Sequence, residues 1–137
     1  MRKKIDVVIL GVIEENKRYL LTKRIDDSSG KYDGLWQIPG GSLEFGESPE
    51  QTLKRELKEE LGIDVRINKM IPKIFSAVRE NWQGILVCFL CSRKDKDKPI
   101  VLNEEASKYG WFGIKDLDKL RLLPFSKQII QEADKYL

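Results

Sequence analysis

Apolar positions along this chain recur with two periods, and the change between them divides it into strands and helices. Val7 to Ile13 (VVILGVI) is an almost unbroken apolar run rich in β-branched residues, which suits a strand buried on both faces. Glu14-Glu15-Asn16-Lys17 makes a turn, and Arg18 to Thr22 (RYLLT) returns, so the two runs are expected to pair as a hairpin whose second strand ends in Lys23-Arg24. Asp26 to Gly34 (DDSSGKYDG) is polar, holds two glycines and reads as an irregular loop on the rim of a site. Trp36 and Ile38 flank Gln37 in a short strand that Pro39 stops, and Ser42 to Phe45 is a brief extended piece before Gly46.

At Pro49 the period becomes helical. Ser48 is a capping residue, Pro49 fits the first helical position and Gln51 can close a capping box. Gly62 fits the left-handed position beyond the end, which predicts a helix over Pro49–Leu61. Leu53, Leu57 and Leu61 fall on one stripe that must bury against a sheet. Glu56, Glu59 and Glu60 crowd another face, where carboxylates one turn apart repel and need a positive partner. That partner is either a metal ion or the helix's own Lys54, Arg55 and Lys58, the latter making an ordinary solvated acidic face.

Downstream the strand period returns. Asp64 to Asn68 alternates as an edge strand, and Lys73 to Val78 with Ile85 to Cys91 reads as a hairpin around Arg79 to Gly84. Asp95 to Pro99 is a charged turn, Ile100 to Leu102 a brief strand, and Tyr109 to Ile114 a strand with Trp111 and Phe112 on opposite faces, one of them core. Lys115 to Leu120 is a short helical turn. Beyond Pro124, Ile129, Ile130, Ala133 and Leu137 form the apolar side of a final helix. No repeat, low-complexity run or linker interrupts residues 1–137, so a single domain is expected.

Composition narrows the function classes. With 41% hydrophobic and 34% charged residues the chain reads as soluble and globular. A net charge of +3 is too mild for sequence-blind nucleic-acid binding but suits attraction of a polyphosphate. No apolar run approaches the ~20 residues that span a bilayer. The basic start Met1 to Lys4 is not followed by a targeting signal, because Asp6 interrupts the junction, Glu14-Glu15 follows the apolar run and no small-residue cleavage site appears. Cys88 and Cys91 form one C-x-x-C within an apolar run, and with no histidine in the chain a zinc site is not completed; they read as strand residues. A reducing cytoplasm is the expected setting.

Gly41, Glu47, Arg55-Glu56-Leu57, Glu59-Glu60 and Gly62-Ile63 stand at spacings that resemble the Nudix box without a departure. Trp36 to Gly41 (W-x-x-P-G-G), the strand ending Thr22-Lys23-Arg24 and Glu105 six residues before Trp111 extend the likeness to small MutT-type Nudix hydrolases over most of the chain. The resemblance implies an α/β fold, the Nudix α/β/α sandwich with a central mixed β-sheet.

It also implies a chemistry. Hydrolysis of a diphosphate needs its negative charge neutralised and a water made more basic, and divalent cations do both. Mg2+, with Mn2+ a possible substitute, takes oxygen ligands, here Glu56, Glu59, Glu60 and a carbonyl of the Gly40-Gly41 pair. Glu47 and Arg55 are expected to brace loop against helix through a two-pronged contact. The general base is expected at Glu56, with Glu105 as the alternative or as a further metal ligand. Arg24, Trp36, Gln37, Phe125 and Ser126 are candidate substrate contacts. Phe125 either stacks on a purine or packs against Pro124, and Arg24 either meets a phosphate or base or merely ends a strand.

The implied activity is Mg-dependent hydrolysis of a nucleoside triphosphate to monophosphate and pyrophosphate. The alternatives are an ADP-ribose or other nucleotide-sugar pyrophosphatase, and a non-catalytic nucleotide sensor. The expected partner is a small nucleotide, with no membrane or nucleic acid, for a monomer or homodimer.

Overall fold

The strand at the centre of the molecule is the apolar run the sequence singles out. In a computed structural model, described over residues 2–26 and 30–137, it spans Lys4–Glu15 (β1). It is followed by β2 (Arg18–Arg24), β3 (Trp36–Gln37), β4 (Gly40–Ser42), helix α1 (Pro49–Leu61), β5 (Val65–Met70), β6 (Phe75–Arg79), β7 (Trp82–Arg93) and β8 (Ala106–Phe112). A 3-10 helix (Ile114–Lys119) and helix α2 (Ser126–Asp134) complete the order. Among the described residues eight strands join in the order β3-β2-β1-β7-β5, with β4 also on β1, β6 also on β7 and β8 also on β2. The sheet is mixed, because β1 and β7 run parallel from Lys4 opposite Trp82 to Ile13 opposite Cys91 while the other pairs are antiparallel.

Alternation along β1 serves both faces, since strand side chains point alternately up and down. Ile9 and Ile13 join Leu53, Leu57 and Leu61 of α1, whereas Val12 joins Ile129, Ile130 and Ala133 of α2 with Leu117 of the 3-10 helix. This is the expected α/β/α sandwich. Gly11 lets α1 come close: a Cβ there would stand 3.1 Å from a methyl of Leu53. Cys88 and Cys91, three residues apart, fall in opposite cores, and burial pushes both thiols up to about 12.

Several boundaries differ from the sequence reading. The first hairpin turns on two residues, Asn16 and Lys17, both at positive φ as a primed turn requires, and pairs only Glu14 with Tyr19 and Glu15 with Arg18. Beyond them β1 leaves for β7 and β4 while β2 pairs with β8 and β3. The second hairpin is tighter than the Arg79–Gly84 loop expected, because its strands continue until Arg79 faces Trp82 and Glu80-Asn81 alone make the turn. The fourth strand is Gly40–Ser42, not Ser42–Phe45, and Phe45 is fully exposed. Residues Ile100–Leu102 are no strand: Val101 N–H donates to the Leu61 carbonyl and Asn103 N–H to that of Glu60, so the segment closes the end of α1. Trp111 and Phe112 each pack against a core, one on either face, so neither is the solvent side. Leu137 lies beyond α2 and is exposed. Within the expected polar loop, residues 27–29 lie outside the described residues, as does Met1; the remainder turns at 30–34, where Gly34 N–H donates to the Arg24 carbonyl.

Candidate active site

Helix α1 and strand β4 bring the charged residues together. Ser48 Oγ accepts from the Gln51 N–H, the Gln51 side chain accepts from the Ser48 N–H, and Gly62 ends the helix at φ 66°. With its leucine stripe fixed on β1, the helix turns Glu56 and Glu60 towards β4. There Gly40 N–H donates to Glu60 Oε2 at 3.3 Å. Gly41 leaves room for Glu56, since a Cβ on it would stand 2.3 Å from the Glu56 carboxyl carbon. Gly40 is needed for another reason: its φ is 151°, and a Cβ would fall 2.0 Å from the Ile9 carbonyl oxygen.

Two carboxyls are thus pressed together in a poorly solvated corner. Burial, then the neighbouring charges of Glu56 and Glu105, push Glu60 up to about 9. Glu56 is also raised, chiefly by burial, against the pull of Arg55. Two crowded carboxyls, of which Arg55 reaches Glu56 but not Glu60, are a set of hard oxygen donors suited to a divalent cation.

Arg55 supplies the positive partner the helix requires. Its Nε and one terminal nitrogen grip Glu47 at 2.7 and 3.0 Å, a two-pronged contact, while the other terminal nitrogen donates to Glu56 Oε1 at 2.9 Å and stands 3.5 Å from Glu59. Glu47 further accepts from Thr52 Oγ1 and the Glu44 N–H, and this set, led by Arg55, holds its carboxyl down to about 2. Glu59 consequently turns outward, its side chain 56% exposed. Among the described residues no three such side chains converge into a ready-made metal cage. The three-glutamate cluster expected from the sequence is, in this structure, a two-glutamate pair with Glu59 drawn aside by Arg55.

A cleft of about 500 Å³ opens beside this pair. Gly40, Gly41, Glu60 and Glu105 line one end, so Glu105 does share the site. Arg24, Gln37, Phe125 and Ser126 also line it; Arg24 donates to Gln37 Oε1 at 3.2 Å, while its buried Nε has no partner. Trp36 does not line the cleft. Its ring packs edge-on against Phe112, 5.0 Å between centroids, because the alternation that points Gln37 inward points Trp36 away. Phe125 meets Phe75 at 5.8 Å and is held at φ 72°, an uncommon conformation for a bulky residue, which keeps its ring on the cleft wall.

Among the lining residues that the sequence reading does not mark are Asp6, Arg79 and Trp82. The pattern puts Arg79 and Trp82 in a turn and makes Asp6 only a break between the basic start and the apolar run. A charged residue two positions before Val8 on the same strand face was the available signal.

A mixed sheet between two helices, with a carboxylate-bearing helix at the mouth of a cleft, is an arrangement suited to hydrolysis of a phosphoanhydride. The NUDIX domain model matches residues 2–133. The nucleoside triphosphatase NudI of Escherichia coli O81 (strain ED1a) is 32% identical over 120 residues, covering 80% of this chain and 83% of that protein. The MutT protein from Methanosarcina mazei Go1 superimposes with TM-score 0.83 at 20% identity, over 99% of this chain and 97% of that one. A NUDIX hydrolase from Nitrosomonas europaea gives TM-score 0.82 at 23% identity over 97% and 90%. The chain belongs to the Nudix family and is a Nudix pyrophosphohydrolase. Its family acts on small nucleotide substrates and generally uses divalent metals. Among the described residues no helix is long and apolar enough to cross a membrane.

Proposed function

We propose that the protein hydrolyses a nucleoside triphosphate to the monophosphate and pyrophosphate, with Mg2+ as its ion and Mn2+ as a substitute. The observation that carries this reading is the half-buried Glu56–Glu60 pair set against Gly40-Gly41 beside a cleft that Arg24, whose Nε has no partner, also lines. The name of the NudI relatives, nucleoside triphosphatase, supports the same substrate class.

Glu56 and Glu60, with a carbonyl from Gly40-Gly41, would hold the ion, and Glu59 stands as an outer donor once it leaves Arg55. Bound there, the ion would neutralise the phosphate charge and make a water beside it more acidic, leaving the proton for a carboxylate of the site to take. Arg24 draws the phosphate chain into the cleft by charge-assisted hydrogen bonds. Arg55 and Glu47 fix the loop against the helix, so that the carboxylates need no reorganisation as the reaction proceeds. The geometry favours Glu105 over Glu56 as base, because Glu56 is tied to Arg55 and pressed on Gly41 whereas Glu105 faces the cleft. Glu105 takes a proton from water, the water oxygen bonds to phosphorus, and the anhydride bond breaks with its electron pair leaving on pyrophosphate.

The test is incubation with Mg2+ and canonical, oxidised and sugar-linked nucleotides, with identification of the fragments. Pyrophosphate released from a triphosphate is the expected result. AMP with ribose phosphate from ADP-ribose would move the assignment to nucleotide sugars. Nucleotide binding without any cleavage in Mg2+ or Mn2+ would make the protein a sensor.

A further inference from the structure

The cleft has a second polar end that the hydrolytic carboxylates do not use. Asp6 of β1, Arg79 at the end of β6 and Trp82 at the start of β7 all line it. Strand register gathers them: Arg79 faces Trp82, Trp82 faces Lys4, and Asp6 faces Gly84. The indole folds over Gly84, where a Cβ would stand 2.3 Å from the Trp82 ring. Trp82 Nε1 donates to Asp6 Oδ2 at 2.6 Å, and Lys4 Nζ lies 3.5 Å from Oδ1. A carboxylate has about four lone-pair sites, so Asp6 keeps acceptor capacity on the cleft floor.

Arg79 provides the complementary group. Its guanidinium carbon lies 4.3 Å from the Trp82 ring centroid and 4.7 Å from that of Tyr32. Such contacts engage the face of a guanidinium and leave the N–H fork at its edge. Among the described residues its side-chain contacts are these two rings, with no hydrogen bond or ion pair to the fork. The charges that act on Arg79 are Arg24, which repels it, and Asp26, which attracts it.

The separation of the two ends sets what can join them. Asp6 lies four residues along β1 from Leu10, the partner of Gly40, so about 13 Å of strand separates it from the row where Gly40 binds Glu60. Val8 and Leu86 line the floor between, an apolar surface for a flat ring. A nucleotide with its diphosphate at Glu60, laid along β1, brings its base to Asp6 and Arg79.

We propose that Asp6 and Arg79 read the polar edge of the substrate's base, Asp6 accepting from an N–H and Arg79 donating to a carbonyl or ring nitrogen. This rests on the reading of the protein as a nucleotide hydrolase. The ligand class is a heterocycle that carries a donor beside an acceptor on its exposed edge. A ring without an edge N–H leaves the Asp6 acceptor unpaired in the cleft, and discrimination of this kind is large because a buried polar group is stranded.

The experiment compares kcat/KM for cytidine, guanosine and adenosine triphosphates with that for purine riboside triphosphate, whose ring has acceptors but no edge N–H, in wild type, Asp6→Asn, Arg79→Met and Arg79→Lys. Wild type is expected to prefer the donor-bearing bases by about tenfold to a hundredfold. Asp6→Asn keeps the acceptor for Trp82 Nε1 but adds donors, so the preference should shrink to about threefold or less. Arg79→Met should raise KM more than it lowers kcat, and Arg79→Lys should restore part of the loss. An unchanged base preference in both Asp6→Asn and Arg79→Met, with melting temperatures near wild type, overturns the inference; if Asp6→Asn does not fold, the Arg79 pair decides it. Wild type that hydrolyses purine riboside triphosphate as fast as the donor-bearing triphosphates also overturns it while leaving the hydrolase reading intact. Absence of triphosphate hydrolysis in wild type defeats the hydrolase reading itself.

Discussion

The two ends of the cleft are built in opposite ways. The carboxylate end comes, apart from Glu105, from one continuous stretch, Gly40 to Gly62, in which a strand, a loop and a capped helix place the charged groups by local rules. The far end is assembled from β1, β6, β7 and the segment carrying Tyr32, whose residues meet only through strand register. The carboxylates that would hold an ion depend on one short stretch and on little else, while the far end can be altered residue by residue without touching them. That division gives a physical reason for one fold to serve different substrates.

The contrast breaks most readily at Glu60. Glu60→Gln keeps the Gly40 bond but removes the charge that an ion requires. Turnover is expected to fall by about a thousandfold, the size of several kcal/mol of lost stabilisation, while the fold persists. Glu56→Gln should behave alike. Steady-state turnover at saturating Mg2+, beside a melting curve, checks this; near-wild-type rates in both variants would mean that the local end is not where the chemistry occurs.

Gly41 and Gly40 sharpen it next. A methyl at Gly41 meets only the end of a side chain, Glu56, so Gly41→Ala should displace that carboxylate and cost about a hundredfold in turnover with little loss of stability. A methyl at Gly40 meets backbone at a φ that L residues avoid, so Gly40→Ala should destabilise the protein by about 3 kcal/mol. Equal effects of the two on melting temperature would contradict the different surroundings of these neighbours.

Titration of the metal-free protein separates two carboxylates of the same stretch. Glu47 is held below its ordinary 4.5, down to about 2, so its stabilising contribution is present above 4.5 and lost as pH falls through 2. Glu60 is raised from 4.5 to about 9, so its contribution is present below 4.5 and lost as pH rises through 9. The metal-free melting temperature should therefore decline from pH 5 to pH 9 by several degrees. Glu60→Gln should flatten that decline, and Mg2+, which binds the charged form, should oppose it. A flat wild-type profile over this range would remove the case for a crowded carboxyl pair.

Legibility in the sequence follows the same division. The helix Pro49–Leu61 was readable to the residue because capping box, proline and terminal glycine are all local signals. Contact between Glu56 and Gly41 lay within reach of motif spacing. Asp6, Arg79 and Trp82 were not readable, because a turn placed at Arg79–Gly84 rather than at Glu80-Asn81 hides two of them, and only the β1–β7 register adds the third. Trp36 was misjudged by one step of strand alternation. Ile100–Leu102 has strand-like composition, yet the open carbonyls at the end of α1 claim its N–H groups first.

Glu59 gives the smallest expected effect and the finest test. The motif treats it as an equal of Glu56 and Glu60, but its carboxylate stands outside the corner, 3.5 Å from Arg55 and more than half exposed. An exposed ion pair of this kind contributes little, so Glu59→Gln should leave stability unchanged and lower turnover by about threefold to tenfold, well short of Glu60→Gln. Measured across a Mg2+ titration, the loss should appear as a weaker apparent affinity for the ion, since an outer donor helps hold it. A thousandfold loss instead would mean that Glu59 leaves Arg55 and turns inward when the ion binds. Arg55 would then be the latch on a cluster that completes itself only with its metal, and Arg55→Lys, which cannot grip Glu47 with two prongs, would shift the same affinity.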